Sequence, residues 1–362
     1  MRTRSSRSTP ARVLVVGGTG FIGRACVAAL RSVGHDVVSA SRSSAELRCD
    51  LCRDSMESLR AALSGVDLVV NAVGVKRATH EQSWEAAHLQ SVRRLLQAMG
   101  GAGVRCLVHV TVAGLSSAHT DPYSATKLAS EEAVRTAAGC SELQAYILRP
   151  AVVWGAGDDF SRNLAGGILH APVFPTPTPA GALAVVHVED VAAAVAAAAA
   201  ELLGGAQRQR SPANADASDG MVRSVRAADV VGPEALPLSK LLSITARALG
   251  LGCVALPIPA VLMVPAAHVV ERLMVDPPIT SAQLGLLRRG VTGDLAQTRA
   301  LLGGRGPRAY TAEGCAQAVD GLAKPLFGVS VRPLLRWESV VATLLAVLLG
   351  WLHGWCLTIA TE

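Results

Sequence analysis

The stretch VLVVGGTGFIGR, residues 13–24, decides the fold of this chain. Its first four residues are apolar and predict a short buried strand, and the residues that follow have the apolar periodicity of a helix. Gly17, Gly20 and Gly23 join the two in the spacing G-x-x-G-x-x-G. A strand, a glycine turn and a helix N-terminus form a cradle for phosphate, because free N–H groups and the helix dipole face the anion. The stretch therefore predicts a dinucleotide site, with a plain structural turn as the alternative.

Each glycine has its own expected role. The first permits the tight turn, the second lets a pyrophosphate approach the backbone, and the third lets the helix lie close to the strand. The nucleotide contacts expected in this stretch are Gly17, Thr19, Gly20, Phe21, Ile22 and Gly23.

The residues after the second predicted strand, 35–41, indicate which cofactor binds. An acidic residue there would bind the ribose 2′-hydroxyl, whereas an arginine accommodates a 2′-phosphate. The chain has Arg42 at this place, and Asp36 lies at the other end of the strand. We therefore expect NADP(H) to be preferred, with NAD(H) possible; the alternative is that Arg42 is an ordinary surface charge. Further nucleotide contacts are expected at Asp50, Leu51, Asn71, Ala72, Val73 and Gly74.

Strands and helices alternate along the first half of the chain, which predicts an α/β fold with a doubly wound parallel sheet, a Rossmann fold. We expect a basic tail over residues 1–11 and a nucleotide-binding core over 12–150. A smaller C-terminal α/β subdomain, interleaved with the last strands, is expected over 151–325, and a hydrophobic tail over 326–362.

Three stretches of the second half are less regular. Residues 154–163 and 204–219 predict loops, the second of them exposed. Residues 256–275 are apolar and interrupted by prolines, and we expect them to pack as a helix rather than to lie on a membrane surface.

The composition narrows the function. Half of the 362 residues are hydrophobic, the net charge is +6, and no basic stripe is interleaved with aromatic residues. Nucleic-acid binding is therefore not expected, whereas an anionic cofactor or a membrane surface suits the positive charge. Cys49 and Cys52 have C-x-x-C spacing, but no second pair completes a zinc site, so no metal is expected.

A helix start follows the fifth predicted strand, with Asp121 as N-cap and Pro122 in the first turn. Tyr123 and Lys127 are four residues apart and therefore share a helix face. Because the chain has only three tyrosines, a Y-x-x-x-K at this place favours an active-site pair over a chance occurrence.

The tail Ser339–Ala360 has His353 as its only ionisable side chain and, at ~1.5 Å per residue, is long enough to cross a bilayer. It predicts a single membrane span, with a buried or interfacial helix as the alternative. Arg332 and Arg336 precede it. They favour a globular part on the cytoplasmic side in a bacterium, or on the matrix side of the mitochondrial inner membrane in a eukaryote.

Five motifs together resemble the extended or atypical short-chain dehydrogenases/reductases. They are GGTGFIG, NAVG at 71–74, Y-x-x-x-K at 123–127, LRPAVVWG at 148–155 and HVEDVA at 187–192, and the resemblance covers residues 12–325. GAGDDFSRN and PPIT at 277–280 resemble more narrowly the branch of the 39 kDa accessory subunit of respiratory complex I and its bacterial NAD-dependent epimerase/dehydratase relatives. Residues 331–360 resemble the start of the DoxX-like membrane region of some of those relatives.

The resemblance implies roles for individual residues. Tyr123 would be the general acid/base, and Lys127 would lower the pKa of its phenol and hold the nicotinamide ribose. Thr111 would polarise the substrate carbonyl, although Ser116 and Ser117 follow close by.

Three functions remain open at this point. The first is an accessory or assembly role with largely structural NADPH, with membrane lipid and respiratory complex I or a quinone-biosynthesis assembly as partners. The second is an active membrane-tethered oxidoreductase or epimerase on a quinone-like or lipid-like substrate. In the superfamily an asparagine often supports the proton relay; this chain has His88 or Gln90 at that place, so the residue that would complete the relay is not identified. The third, a soluble sugar epimerase, lacks evident polar sugar-binding residues over 161–184.

Overall fold

A computed structural model describes residues 10–43, 46–75, 83–116, 121–170, 173–209, 224–273 and 281–320. Their strands are β1 (Arg12–Val16), β2 (Asp36–Ser41), β3 (Leu47–Arg48), β4 (Leu68–Asn71), β5 (Cys106–Val110), β6 (Gln144–Pro150), β7 (Val153–Trp154), β8 (Val173–Thr178), β9 (Val186–His187), β10 (Val225–Val230) and β11 (Val254–Pro259). Their helices are α1 (Phe21–Ser32), α2 (Met56–Ala62), α3 (Ser91–Ala102), α4 (Pro122–Gly139), α5 (Asp159–His170), α6 (Val188–Gln209), α7 (Leu238–Ala248), α8 (Ala260–Leu273), α9 (Ser281–Arg289), α10 (Leu295–Leu301) and α11 (Ala312–Ala318). A π-helical segment, Glu85–Gln90, leads directly into α3.

Seven strands form one parallel sheet in the order β10-β6-β5-β4-β1-β2-β3. The central strands β4 and β5 are buried at every residue. Such strands are expected where helices cover both faces of a parallel sheet. Because β1 pairs with β2 on one side and β4 on the other, the strand order reverses there. The predicted doubly wound Rossmann sheet is therefore confirmed.

Helices cover both faces of this sheet. On one face α1 packs against α6, and on the other α2 and α4 both pack against α3. Each face has its own apolar core, and the neighbouring residues Val13 and Leu14 of β1 belong to different cores. This alternation is the one that the two-residue period of a strand requires.

The second half of the chain is interleaved with the sheet. In the sequence, β10 follows the first elements of the smaller subdomain, yet it belongs to the main sheet and pairs in parallel with β6. The rest includes the parallel pairs β8–β11 and β7–β9. Residues of α9 and of the ends of β5 and β6 line one cavity, so the subdomain lies over the carboxyl ends of those strands.

The outer edge of β10 is closed by α10 near its carboxyl end. Thr298 Oγ1 donates to the carbonyl of Asp229 at 3.1 Å and accepts from the N–H of Val231 at 2.9 Å. Gln297 accepts from the N–H of Asp229 at 2.8 Å. At the opposite edge, β3 has only two residues.

Two loop predictions were wrong in part. Residues 159–163 are helical because Asp158 caps α5, accepting from the N–H of Ser161 at 2.6 Å and of Gly155 at 2.9 Å. Residues 204–209 are helical because α6 continues to Gln209 while packed on α1 and on the sheet. The remainder of that predicted loop, 210–219, lies outside the described residues.

Residues 256–275 are not a single packed helix as expected. They begin in β11 and continue in α8, and the apolar side chains of Leu256, Val261 and Val269 are exposed. The packing prediction fails for one face of α8, because no described element covers that face.

Among the described residues, none of the helices combines the length and apolar character needed to cross a bilayer. The predicted span over 339–360, most of the basic tail, Ser117 and the PPIT motif all lie outside the described residues.

Candidate functional site

The glycine turn after β1 leaves no room for side chains except at one position. Gly17 has a φ of +80°, and a Cβ there would lie 2.9 Å from the backbone of Ala72. A Cβ on Gly23 would lie 2.0 Å from the carbonyl oxygen of Gly17. A Cβ on Gly20 would meet only that same oxygen, at 3.2 Å. The space before Gly20 is therefore open to a phosphate, and α1 begins there with no side-chain cap on its first N–H groups.

A cleft of about 200 Å³ opens at the carboxyl ends of β1, β2 and β4, which is the switch point of the sheet. Most of the predicted nucleotide contacts line it: Gly17, Thr19, Gly20, Arg42, Asp50, Leu51, Ala72, Val73 and Gly74. Phe21 and Ile22 line a separate apolar cavity, and Asn71 is buried. The structure therefore brings nine of the predicted contacts together in one cleft and places Phe21, Ile22 and Asn71 outside its lining.

One wall of the cleft is basic. Ser41, Arg42 and the thiol of Cys52 lie in it. Burial and the Asp50 carboxylate raise the pKa of Cys52, whereas Arg94, Arg42 and Arg53 lower it, so three guanidinium groups and one carboxylate lie near this wall. The hydroxyl of Ser41 is buried with no hydrogen-bond partner among the described residues. An anionic group of a nucleotide fits a wall with these donors.

The C-x-x-C pair also lies in this cleft. Burial raises the pKa of Cys49 to about 11, and Asp54 and Asp50 add to the rise. At neutral pH Cys49 is therefore a thiol, which is a poor nucleophile and metal ligand. No group of three His, Cys, Asp or Glu within the described part of the chain could hold a metal ion.

A buried polar chain runs from the cleft to α4. Asn71 Oδ1 accepts from the N–H of Val73 at 3.1 Å, and Asn71 Nδ2 lies 3.2 Å from Nδ1 of His109. His109 Nε2 lies 3.2 Å from Ser130 Oγ, which donates to the carbonyl of Lys127 at 2.7 Å. Since the amide of Asn71 donates and the proton of Ser130 is committed, neutral His109 accepts at Nδ1 and donates from Nε2. This series of hydrogen bonds holds the NAVG turn, residues 71–74, in place relative to α4.

Acid is expected to destabilise the protein through His109. Burial lowers the pKa of this imidazole to about 3, and Lys127 and His88 lower it further. Between pH 6.5 and 3 the unfolded chain binds more protons than the folded one. The free energy of unfolding should therefore fall as the pH falls, by about 1.4 kcal/mol per pH unit from this group. Urea unfolding at several pH values measures the slope. His109→Gln should flatten the slope, whereas His268→Gln on the exposed face of α8 should not.

Tyr123 and Lys127 lie one turn apart in α4, whose N-cap Asp121 accepts from the N–H of Ser124 at 2.9 Å. Arg289, at the end of α9, pairs with Asp121 at 3.2 Å and donates to Ser124 Oγ at 3.4 Å. The smaller subdomain therefore holds the first turn of the helix that carries Tyr123.

The Tyr123 ring packs edge-on against two rings of the segment that precedes α3. The ring centroids lie 5.4 Å from His88 and 6.1 Å from Trp84. Thr126 Oγ1 donates to the carbonyl of Tyr123 at 2.9 Å and lies 3.1 Å from His88 Nδ1, and His88 Nε2 lies 3.1 Å from the carbonyl oxygen of Val75. Of the two candidates for the supporting position, His88 contacts Tyr123, whereas Gln90 is exposed. His88 belongs to the π-helical segment, a distortion common at functional sites.

Burial controls the protonation of the pair. It raises the pKa of Tyr123 to about 12, and the Asp121 carboxylate adds to the rise. It lowers the pKa of Lys127 to about 8, against the opposing effect of Glu131. The direction of the Tyr123 shift is therefore opposite to the lowering that the resemblance implies, because burial of the phenol outweighs the nearby lysine. Lys127 Nζ lies 3.3 Å from the place where a Cβ of Gly74 would be, so the ammonium borders the cofactor cleft.

Thr111 belongs to a buried network. Its hydroxyl donates to Glu131 Oε1 at 2.8 Å, and Arg149 Nε donates to the same oxygen at 2.9 Å. Arg135 lies 3.6 Å from the other carboxylate oxygen. Thr111 also lines the apolar cavity that contains Phe21 and Ile22, but its hydroxyl proton is held by Glu131, so it can accept further hydrogen bonds but not donate them.

A second cavity, of about 300 Å³, adjoins the cleft at the start of α1. Its polar lining residues are Thr111, Tyr123, Asp159, Asn163 and Gln283, and most of its lining is apolar. The apolar side chains come from the sheet ends, α5, β8 and α9, and include Val152, Phe160, Leu164, Phe174, Leu286 and Leu287. A cavity of this size and character suits an apolar ligand held by a few polar groups.

The sequence pattern of the NAD dependent epimerase/dehydratase family matches residues 13–209, more than half of the chain. The chain belongs to this family. The matched segment runs from the glycine turn to the end of α6 and includes both the cleft and the Tyr123–Lys127 pair. An NAD(P)-type nucleotide is therefore the cofactor for which the cleft is built.

Curated relatives within and around this epimerase/dehydratase family are distant. The chain is 28% identical over 194 residues to ceramide reductase of Caulobacter vibrioides, which covers 51% of this chain and 60% of the relative. It is 33% identical over 174 residues to dTDP-6-deoxy-L-talose 4-dehydrogenase of Kitasatospora kifunensis, covering 41% and 55%. It is 28% identical over 166 residues to the mitochondrial NADH dehydrogenase [ubiquinone] 1 alpha subcomplex subunit 9 of Mus musculus, covering 42% and 43%. The chain thus spans less than two thirds of each of these relatives.

Solved structures share the fold. MoeE5 in complex with UDP-glucuronic acid and NAD superposes with a TM-score of 0.61 at 22% identity, over 85% of this chain and 97% of MoeE5. At this identity the likeness shows the Rossmann-like architecture and no more.

Some residues of this family member's site were not assigned from the sequence. Glu131 follows Lys127 by four residues, so the helix period already placed it on the same face. Trp84, Arg149 and Arg289 reach the site from distant segments, and no local pattern points to them.

Proposed function

We propose that the chain is an NAD(P)(H)-dependent oxidoreductase that interconverts a carbonyl and an alcohol on an apolar substrate. One observation carries the proposal. A single turn of α4 connects both cavities, because Tyr123 lines the apolar one and Lys127 Nζ borders the nucleotide cleft. A proton donor is thus held at the junction where cofactor and substrate meet.

When bound, the reduced nicotinamide supplies the hydride, two electrons to the carbonyl carbon. The phenol of Tyr123 donates its proton to the carbonyl oxygen, so the C=O bond becomes an alcohol and the phenolate remains. The positive charge of the Lys127 ammonium stabilises the negative charge of the phenolate, and the same group binds the ribose. Water then restores the phenol proton, and alcohol oxidation follows the reverse course. Carbonyl reduction uses the protonated phenol, which is the form that the raised pKa favours.

The cavity lining supports an apolar substrate. Phe160, Phe174, Leu286 and Leu287 offer no hydrogen bonds to the hydroxyls of a sugar. The similarity to a ceramide reductase agrees with a lipid-like carbonyl or alcohol.

The test supplies the purified full chain with NADPH and two ketones of matched structure, one with a long alkyl chain and one with a short polar chain. We expect NADPH oxidation to depend on the ketone and to have a lower KM for the long-chain compound. A higher kcat/KM for the polar compound would contradict the apolar assignment, and absence of turnover with any ketone would contradict the activity.

We also propose NADP(H) as the preferred cofactor, which the basic wall of the cleft supports. Arg42→Ala is expected to weaken NADPH binding by about 10- to 100-fold and NADH binding little, because a charge-assisted hydrogen bond to a phosphate contributes about 1.5–3 kcal/mol. Calorimetric titration of both nucleotides measures this. Arg60→Ala, an exposed arginine on α2 outside the cleft, is the matched control. Equal losses for NADPH and NADH would refute the 2′-phosphate assignment.

A second candidate function is an accessory role in the respiratory membrane with a structurally held NADPH. The similarity to the mouse NADH dehydrogenase subunit favours it, as does the commitment of the Thr111 proton to Glu131. Membrane attachment through residues 339–360, with the globular part on the cytoplasmic or matrix side, belongs to the same proposal. Native mass after detergent extraction, with identification of bound nucleotide, separates the two functions. Comigration with a very large assembly and retained NADPH would favour the accessory role.

A further inference from the structure

An exposed apolar surface lies on the smaller subdomain, outside the cleft and the cavity. We call it the α8 surface. It combines one face of the β8–β11 pair with one face of α8, and its most exposed apolar residues are Val173, Val254, Leu256, Val261, Leu262 and Val269. Val254 pairs with Val173 across the two strands, and Leu256 follows on the same face.

The helix α8 is apolar on both sides. Ala260, Ala267 and Val270 are buried against the subdomain. Val261 is 76% exposed and Val269 is 49% exposed, on the opposite side of the helix. His268 and Arg272 are also exposed on α8, but a group of exposed large apolar side chains commonly marks a contact with protein or membrane. None of the described elements covers the outer face of α8.

The segments that form this surface, and the helices α7 and α9 that contact them, carry mostly basic side chains. From residue 238 to residue 290 the sequence has five basic and two acidic residues. Lys240, Arg247, Arg272 and Arg288 are exposed, whereas Glu271 accepts hydrogen bonds from the N–H and hydroxyl of Ser281. Apolar side chains flanked by basic ones are complementary to the interface of a bilayer that contains anionic lipid.

The surface and the substrate cavity share the strand β8. Val173 is exposed on the α8 surface, and its neighbour Phe174 lines the cavity. The cavity also takes Leu286 and Leu287 from α9, which packs against α8. An apolar molecule in a bilayer at the α8 surface would therefore be separated from Tyr123 by a single layer of the subdomain.

We propose that the α8 surface binds the interface of an anionic lipid bilayer and takes the apolar substrate from it. The delivery step rests on the proposed function, whereas the binding step does not. The contact is made by described residues and is separate from the hydrophobic tail.

The test compares the full chain with the double variant Val261→Asp/Leu262→Asp and with Val33→Asp. Val33 is 58% exposed at the end of α1, outside this surface, and so provides a matched apolar-to-acidic control. Each protein is floated with preformed phosphatidylcholine vesicles, with and without phosphatidylglycerol. Transfer of one such side chain from water to an apolar phase changes a partition constant about tenfold or more. We expect the double variant to bind at least about tenfold more weakly, Val33→Asp to bind as the unchanged chain does, and anionic lipid to strengthen binding.

Because residues 339–360 are present in all three proteins, differences between them report on the α8 surface. Equal flotation of the three would overturn the proposal. Sedimentation in the absence of vesicles checks for a second copy of this chain; if the double variant abolished a dimer without weakening flotation, the surface would be a dimer contact and the proposal would fail. The single variant Val261→Asp, with thermal unfolding and NADPH binding as folding controls, gives the same comparison if the double variant is unstable.

Measurements of ketone turnover distinguish bilayer binding by the α8 surface from the proposed oxidoreductase activity. Vesicles that contain a long-chain ketone should accelerate its reduction by the unchanged chain and not by the double variant, while a short soluble ketone is reduced equally by both. Flotation without turnover of any ketone would leave bilayer binding supported and the oxidoreductase proposal contradicted. If vesicles left the rate of long-chain ketone reduction unchanged, delivery from the bilayer would be contradicted.

Discussion

Tyr123→Phe is expected to lower kcat for ketone reduction by about 10²- to 10⁴-fold, the range for loss of a general acid. The phenylalanine ring keeps the edge-on contacts to His88 and Trp84, so the variant removes the hydroxyl and little else. The nucleotide cleft lies on the far side of Lys127, and NADPH affinity should stay unchanged. Stopped-flow measurement of NADPH oxidation, with nucleotide binding measured separately, tests both statements.

Tyr146→Phe is the matched control for this change. Tyr146 is a buried tyrosine of β6 that lines neither the cleft nor the substrate cavity. Its variant should turn over as the unchanged chain does. If Tyr123→Phe retained full turnover, the proton would come from another group, and the role of Tyr123 would be refuted.

Glu131→Ala is expected to lower the free energy of unfolding by about 3 kcal/mol, because removal of one partner leaves a buried charge and its donors unpaired. The carboxylate accepts from both Thr111 and Arg149, and its side chain is 4% exposed. The variant also removes the anion that opposes the lowering of the Lys127 pKa. The ammonium should then lose its proton at a lower pH, and the pH above which turnover falls should decrease.

Urea unfolding and a pH profile of kcat measure these two effects. Glu132→Ala is the control, since Glu132 is the next residue of α4 and is exposed. Its unfolding energy and pH profile should match those of the unchanged chain. A stable Glu131→Ala variant with an unshifted profile would show that the network neither supports the fold nor tunes the lysine.

The parts of the molecule predicted from sequence are those set by neighbouring residues. The spacing of Gly17, Gly20 and Gly23 fixes a turn whose first and last positions leave no space for a side chain, so the cleft follows from the local pattern. The spacing of Tyr123 and Lys127 fixes a shared helix face, and Glu131 was within reach of the same argument.

Other features depend on segments that meet only in the folded chain. Arg289 reaches Asp121 across 168 residues, which no periodicity encodes. The sequence did not indicate that Asp158 caps α5, because the segment around it has the glycine and aspartate content of a loop. The contact of His88 with Tyr123 requires the π-helical segment, whose extra residue per turn leaves no mark on the apolar pattern.

The two borders of the main sheet restrict how this protein can assemble. One border is a strand of two residues, and at the other Thr298 and Gln297 occupy the backbone groups of Asp229. Both features reduce the backbone groups available for pairing with a strand of another chain, along β3 and at the carboxyl end of β10. Any lasting association, with copies of itself or with a larger complex, should therefore form through side-chain surfaces rather than by continuing the sheet from one molecule into the next.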